Sequence, residues 1–332
     1  MSTGRDLKAL PKAHLHLHLE GGMRMSTLRE LAAYYGVPLT PVTSYTSFTE
    51  FAQLYEAACA VLQTHDDLRR LMRETIDDAV ESGAVWIEPG IRPALHRGKK
   101  FGGDADVLET YLDEGRRYGA ERGVGVGALV TADRTAPIAI AFEEAELAVA
   151  YRDAGVVSFG LANDEVGHPP EAFAEPFAIT RDAGLLSCPH AGELDGPASV
   201  AGALHALGAD RIQHGIRCLE DPALVERLVE AGTCLDVCPT SNACLQVVPS
   251  LEEHPLPQLL AAGLRCSLNA DDPLFFNEVG LLDEYELARS RLGLSDEQLA
   301  DIARASIDAS GAPDALKASA RTGIDAWLAA PA

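Results

Sequence analysis

Positive charge is scarce in this sequence. Its 27 Lys and Arg residues face 50 Asp and Glu, for a formal net charge of −23. Such a field repels nucleic-acid phosphates and anionic lipid headgroups, so neither partner is expected. Long apolar runs are also missing. No stretch approaches the roughly 20 residues that a bilayer crossing needs, and the start, MSTGRDLKALPKAH, lacks the basic segment and apolar run of a secretory signal. The expected location is the cytoplasm. Low-complexity tracts and Ser/Gly-rich linkers are absent, so nothing marks a domain boundary within the 332 residues. The cysteines do not pair off either: there are seven, and Cys188, Cys234, Cys238 and Cys266 fall in apolar, strand-like segments typical of reduced, buried thiols. No disulfide is expected. The spacing of Cys234 and Cys238 is not CxxC and no second pair accompanies them, so buried thiols are expected there rather than metal ligands.

What is present is a repeating alternation. Runs of β type near 14–20, 85–90, 125–131, 157–163, 185–192, 211–215, 233–239 and 265–271 are separated by helical stretches such as 172–183, 197–208, 221–232 and 255–263, several bounded by Gly or Asp-Pro. Eight strands alternating with helices predict an α/β fold, a (β/α)8 TIM barrel with a parallel sheet, which commonly uses about 250 residues plus insertions. The segment 24–80 is longer than one crossover helix requires. It reads as helices at 25–35, 47–62 and 66–81, and is expected to be a lid insertion after strand one, covering the barrel mouth. Residues 293–330 read as closing helices, and 1–332 as a single catalytic domain.

In such a barrel the reacting groups gather at the C-terminal ends of the strands. Strand one carries His16 and His18, which alternate with Leu15, Leu17 and Leu19 and so point to one side. His14 continues that alternation but lies furthest from the strand's end. Strand five ends in His190-Ala191-Gly192-Glu193, strand six in His214-Gly215 and strand eight in Asn269-Ala270-Asp271-Asp272-Pro273. Each motif alone is weak. Four strands delivering ligand or acid/base residues at one end is a specific pattern, because chance would scatter them through helices and loops. His16, His18, His190 and one carboxylate of the Asp271-Asp272 pair make an N/O set suited to zinc, with a position left for an activated water. His214 can accept a proton from that water or orient it; Glu193 can donate a proton to substrate; the second Asp can fix the nucleophile or a ring nitrogen.

These residues resemble the adenosine deaminase family of the amidohydrolase superfamily. The likeness runs from Pro11-Lys12-Ala13 and His16-Leu17-His18-Leu19-Glu20-Gly21 through Leu161-Ala162-Asn163-Asp164-Glu165, His190-Ala191-Gly192-Glu193, Arg211-Ile212-Gln213-His214-Gly215 and Cys238-Pro239-Thr240-Ser241-Asn242 to Ser267-Leu268-Asn269-Ala270-Asp271-Asp272-Pro273. It spans roughly residues 10–290 in the family's order. The resemblance implies one Zn²⁺ per chain on His16, His18, His190 and Asp271, with Glu193 protonating purine N1, His214 assisting the attacking water and Asp272 hydrogen-bonding N7. Attack at C6 then expels ammonia. It also implies that the backbone N–H at Asn163, where the family usually has Gly, faces N3. Phe48 and Phe51 are candidates for the lid's apolar wall, or else ordinary helix core.

Substrate choice rests on departures from the family pattern. Glu20 stands where typical adenosine enzymes have an Asp that reaches the ribose, Gly160 replaces a common Asp behind the site, and Glu165-Val166-Gly167-His168-Pro169-Pro170 resembles the bacterial adenine deaminases. Against this, Leu161 to Glu165 is one substitution from the adenosine-type motif. His14, in place of a usual Glu, is expected to affect packing more than chemistry. The expected activity is deamination of a small-molecule purine, adenosine and 2′-deoxyadenosine first, with adenine or a modified nucleoside such as aminodeoxyfutalosine as the alternative. A non-catalytic nucleoside-binding barrel is disfavoured by retention of the whole ligand and acid/base set. Cytidine-type zinc deaminases are disfavoured by the absence of their HxE and PCxxC elements.

Overall fold

The alternation of strands and helices winds the chain into a closed barrel. A computed structural model describes residues 4–39 and 48–331, with eight parallel staves. These are β1 (Lys12–His14), β2 (Ala84–Ile87, resumed at Gly90–Ile91), β3 (Gly125–Val126 and Ala128–Asp133), β4 (Val156–Ala162), β5 (Leu186–Ala191), β6 (Arg211–His214), β7 (Cys234–Val237) and β8 (Arg265–Leu268). Each stave pairs with the next in sequence, from β1 with β2 to β7 with β8. The ring closes where Leu17 pairs with Asp271, while His18 pairs with Gly90 of β2. There the Asp271 N–H donates to the His16 carbonyl and the His18 N–H to the Asp271 carbonyl, both at 3.1 Å. Closure thus sets the two histidines of the first stave against the carboxylate that follows the last.

β1 is shorter than the expected 14–20, and the cause is a side chain. Asn269 Oδ1 accepts the N–H groups of Leu15 and His16 at 2.7 and 3.0 Å, taking bonds that a regular ladder would use. β2 is interrupted at Glu88-Pro89, where proline has no N–H to give the ladder. β6 stops at His214, which turns into the left-handed region with φ of 63°, and β8 stops at Leu268, three residues before the left-handed Asp271, φ 59°. The staves therefore end where the reactive side chains begin.

Between β1 and β2 lie α1 (Met25–Tyr35), α2 (Phe48–Cys59) and α3 (His65–Glu81), matching the three helices expected there. The logic of α3 is local. Thr64 and Asp67 form a reciprocal capping box, and Leu68, Leu71, Met72, Thr75, Ile76 and Ala79 recur at helical spacing on its buried face. Helices at Ala174–Asp182, Pro197–His205, Pro222–Ala231 and Leu256–Ala261 fall in the four segments marked above, and Asp296–Ala309 with Asp314–Ala329 occupy 293–330. Among the described residues no helix is long and apolar enough to cross a membrane.

Inside the barrel the core is partly ionic. Arg211, fully buried, donates to Glu88 Oε2 at 2.7 Å, Asp236 Oδ2 at 3.0 Å and the Ala309 carbonyl at 3.0 Å. Trp86 Nε1 and the Gly311 N–H satisfy the other Glu88 oxygen, and Ser267 Oγ the other Asp236 oxygen. One guanidinium thus ties β2, β6 and β7 together, with β8 attached through Ser267.

Candidate active site

The main-chain carbonyl at Asp236 also begins the site. It accepts from His16 Nδ1 at 3.1 Å, and the Leu161 carbonyl accepts from His190 Nδ1 at 2.9 Å. With the ring proton on Nδ1, each imidazole turns the lone pair of Nε2 inward. His16 Nε2 and His18 Nε2 stand 3.1 and 3.3 Å from Asp271 Oδ1, and His18 Nε2 is 3.2 Å from His190 Nε2. Ser241 Oγ donates to the other Asp271 oxygen at 2.7 Å, steering Oδ1 toward the imidazoles. His16 Nε2 is buried with no hydrogen bond. Acceptor atoms crowded this closely fit a divalent cation at their centre.

All four residues expected to form the ligand set are therefore together. His214 and Asp272 approach the same centre: donor atoms of His16, His190, His214 and Asp271 lie within 4.8 Å of one another, as do those of His18, Asp271 and Asp272. His14 stands apart; its Nε2 accepts the Ala270 N–H at 3.1 Å, a packing role. All seven cysteines are free. Cys238 Sγ touches His16 at Nδ1, 3.3 Å away, on the side turned from the cluster, and burial pushes its thiol well above the ordinary range.

Glu193 is buried with its Oε1 3.5 Å from His214 Nε2. Burial, reinforced by the negative charges of Asp271 and Glu165, pushes its carboxyl well above the usual carboxylate range. A neighbour positions it. Buried Glu165 accepts the N–H groups of Gly192, Glu193, Leu194 and Asp195 at 2.6, 3.1, 2.8 and 2.9 Å, and so folds the turn after β5 around one carboxylate. Arg134 braces the same turn by donating to the His190 carbonyl at 2.5 Å. Glu165→Gln removes the charge and an acceptor oxygen from this cradle. It is expected to retain bound metal while kcat falls about 10²-fold, the size of effect that a misplacement of about 1 Å produces. Metal analysis beside steady-state kinetics checks this; an unchanged kcat would refute the positioning role.

Asp272 is also pushed up, by burial and the adjacent Asp271 charge, and its Oδ1 has no hydrogen-bond partner. That oxygen explains Gly21: a Cβ there would lie 1.7 Å from it. Asn163 borders the cavity at φ 80°, a left-handed conformation that Asn tolerates better than most residues, which accounts for Asn at a usual glycine position.

The cavity takes one wall from α2. Phe51 lines it and stacks on Phe276 at 5.5 Å, so it serves as both wall and core. Phe48 opens α2, and its side chain lies outside the described ones. Glu20 is buried and already engaged: Tyr55 Oη donates to it at 2.7 Å and His96 Nε2 at 2.8 Å. Burial alone would raise its pKa, but these two bonds bring it down to about 2. Tyr55, Glu165, Ser241, Asn242 and His254 went unassigned in the sequence reading, since each acts through a partner distant along the chain.

The family model for adenosine deaminase matches residues 11–327. A Streptomyces coelicolor protein named "Putative adenosine/adenine deaminase" is 42% identical over 99% of this chain and 100% of its own length. The crystal structure of adenine deaminase from Arthrobacter aurescens superposes with a TM-score of 0.90 at 32% identity, covering 97% of this chain and 100% of that one. That of an amidohydrolase from Burkholderia ambifaria with bound Zn superposes with a TM-score of 0.86 at 26% identity, covering 98% and 94%. The strand-end imidazoles, the paired aspartates and these likenesses agree, and the chain belongs to the adenosine deaminase family of hydrolytic deaminases.

Proposed function

We propose that this chain replaces the exocyclic amine of a 6-aminopurine with oxygen, releasing ammonia, and that adenosine and 2′-deoxyadenosine are its nucleoside substrates. The carrying observation is that His16, His18, His190 and Asp271 converge on one cavity wall beside a buried carboxyl, Glu193, whose pKa burial and neighbouring negative charge push up. One Zn²⁺ on those four residues would supply the Lewis acidity that brings a water's pKa toward neutrality. Glu193 then donates its proton to N1, making C6 electrophilic. Asp272, its pKa pushed up by burial and the Asp271 charge, turns its unpartnered oxygen to N7. The Asn163 N–H faces N3, and Phe51 with Tyr55 covers the ring. In this reading 24–80 is the lid, excluding bulk water, and the whole chain acts as one catalytic domain in the cytoplasm.

A second reading, free adenine as substrate, is favoured by one observation. Both Glu20 oxygens already accept, from Tyr55 and His96, so this buried carboxylate is tied to protein donors rather than left open toward a ribose hydroxyl. Ammonia release from adenosine, 2′-deoxyadenosine, adenine and aminodeoxyfutalosine, compared as kcat/KM, tests both. Preference for the nucleosides supports the first reading and preference for adenine the second; release from none of the four contradicts both.

A further inference from the structure

Behind His214 a chain of hydrogen bonds has a fixed direction. It starts at a backbone donor that cannot reverse: the Leu256 N–H donates to His254 Nδ1 at 3.2 Å. His254 is buried, and burial lowers its pKa to about 3, so the ring is neutral and its proton sits on Nε2. His254 Nε2 is 3.1 Å from Asn242 Oδ1, which accepts that proton. The Asn242 amide must then present its NH₂ to the other side, where Nδ2 lies 3.2 Å from His214 Nδ1. A nitrogen that accepts carries no proton, so His214 has its proton on Nε2, the atom 3.5 Å from Glu193 and 3.9 Å from Asp271.

We infer that Asn242 and His254 are positioning residues whose relay locks His214 as the Nε2–H tautomer, making it a hydrogen-bond donor into the site rather than a metal ligand or a base. This separates His214 from its neighbours by polarity. His16 and His190 donate from Nδ1 to backbone carbonyls and turn lone pairs inward; His214 accepts at Nδ1 and turns a proton inward. Three imidazoles of the same composition are thereby sorted into ligands and donor by the groups behind them. As a donor, His214 orients the attacking oxygen through one lone pair; the water, its pKa lowered toward neutrality, gives its proton to solvent, and the lone pair so freed is directed at the substrate carbon. The left-handed backbone at His214, φ 63°, is the strain accepted to aim the ring along this line. The role in turnover rests on the deaminase reading; the tautomer does not.

The test is a long-range ¹H–¹⁵N correlation spectrum of the zinc-loaded protein, with His214 assigned by the signals lost in His214→Asn. A protonated, pyrrole-type Nε2 and a pyridine-type Nδ1 are expected; the reverse pattern or a mixture of the two overturns the inference. Asn242→Asp is nearly isosteric but replaces the donor with an acceptor. It should switch His214 to Nδ1–H and lower kcat by about 10²–10⁴-fold, the scale of a wrong-tautomer histidine, with KM little changed. An unswitched tautomer, or a switched one at full kcat, overturns the proposal. Should Asn242→Asp fail to fold, His254→Gln and His254→Leu decide: the Gln amide can reproduce both bonds and should hold the Nε2–H tautomer with kcat close to wild type, whereas Leu should lose both. Equal behaviour of the two variants counts against the relay. If the deaminase reading itself fails, no variant or wild type releases ammonia, yet the spectrum still reports the tautomer.

Discussion

Glu193→Gln is expected to keep its metal and lower kcat by about 10²–10⁴-fold, the range of a lost general acid. The substitution preserves size and hydrogen-bonding reach, so the cradle that Glu165 builds around residues 192–195 should survive. What disappears is a transferable proton. The native carboxyl holds that proton because burial and the charges of Asp271 and Glu165 push its pKa up, whereas an amide has none to give at any accessible pH. The loss should therefore appear in kcat with little change in KM, since ring contacts to Asp272 and the cavity wall remain. Steady-state kinetics beside metal analysis checks it. Turnover near the wild-type value would remove Glu193 from the chemistry, and loss of metal would show that it acts on the ligand set instead.

The second large effect lies in the barrel interior. Arg211→Met should destabilise the fold by about 3–5 kcal/mol, because it strands the buried carboxylates of Glu88 and Asp236 without their shared cation. A domain's whole stability is commonly only about 5–15 kcal/mol, so a sharply lowered denaturation midpoint is expected. The damage should also reach the site. The Asp236 carbonyl holds the His16 ring proton at 3.1 Å, and disturbance behind a metal-ligating histidine typically lowers metal affinity about 10–100-fold. Denaturant unfolding and metal titration read the two consequences separately. An unfolding free energy within about 1 kcal/mol of wild type would mean that the triad contributes no more than an exposed pair does.

Much of this was legible in the sequence because barrels put their chemistry at strand ends. His190 to Glu193 and Asn269 to Pro273 follow apolar β runs directly, so the position of the reactive residues could be read once the strands were placed. Strand lengths were less legible. β1 ends early because Asn269 captures two amides that follow it, and β6 ends at the left-handed His214, which no period-2 pattern encodes. The supporting groups were hidden for the same reason. Glu165 meets its four amides 27 to 30 positions away, Asn242 meets His214 28 positions away, and Tyr55 reaches Glu20 from an inserted helix. Their residue types suit surface, loop or core equally well, and only closure of the ring gives them partners.

Metal dependence of ammonia release measures the central claim most directly. The chelated protein should be silent toward every 6-aminopurine offered, and adding one equivalent of Zn²⁺ per chain should restore stoichiometric formation of ammonia and the 6-oxopurine. Equal turnover by the chelated protein, or a fully zinc-loaded protein that releases no ammonia, would contradict it.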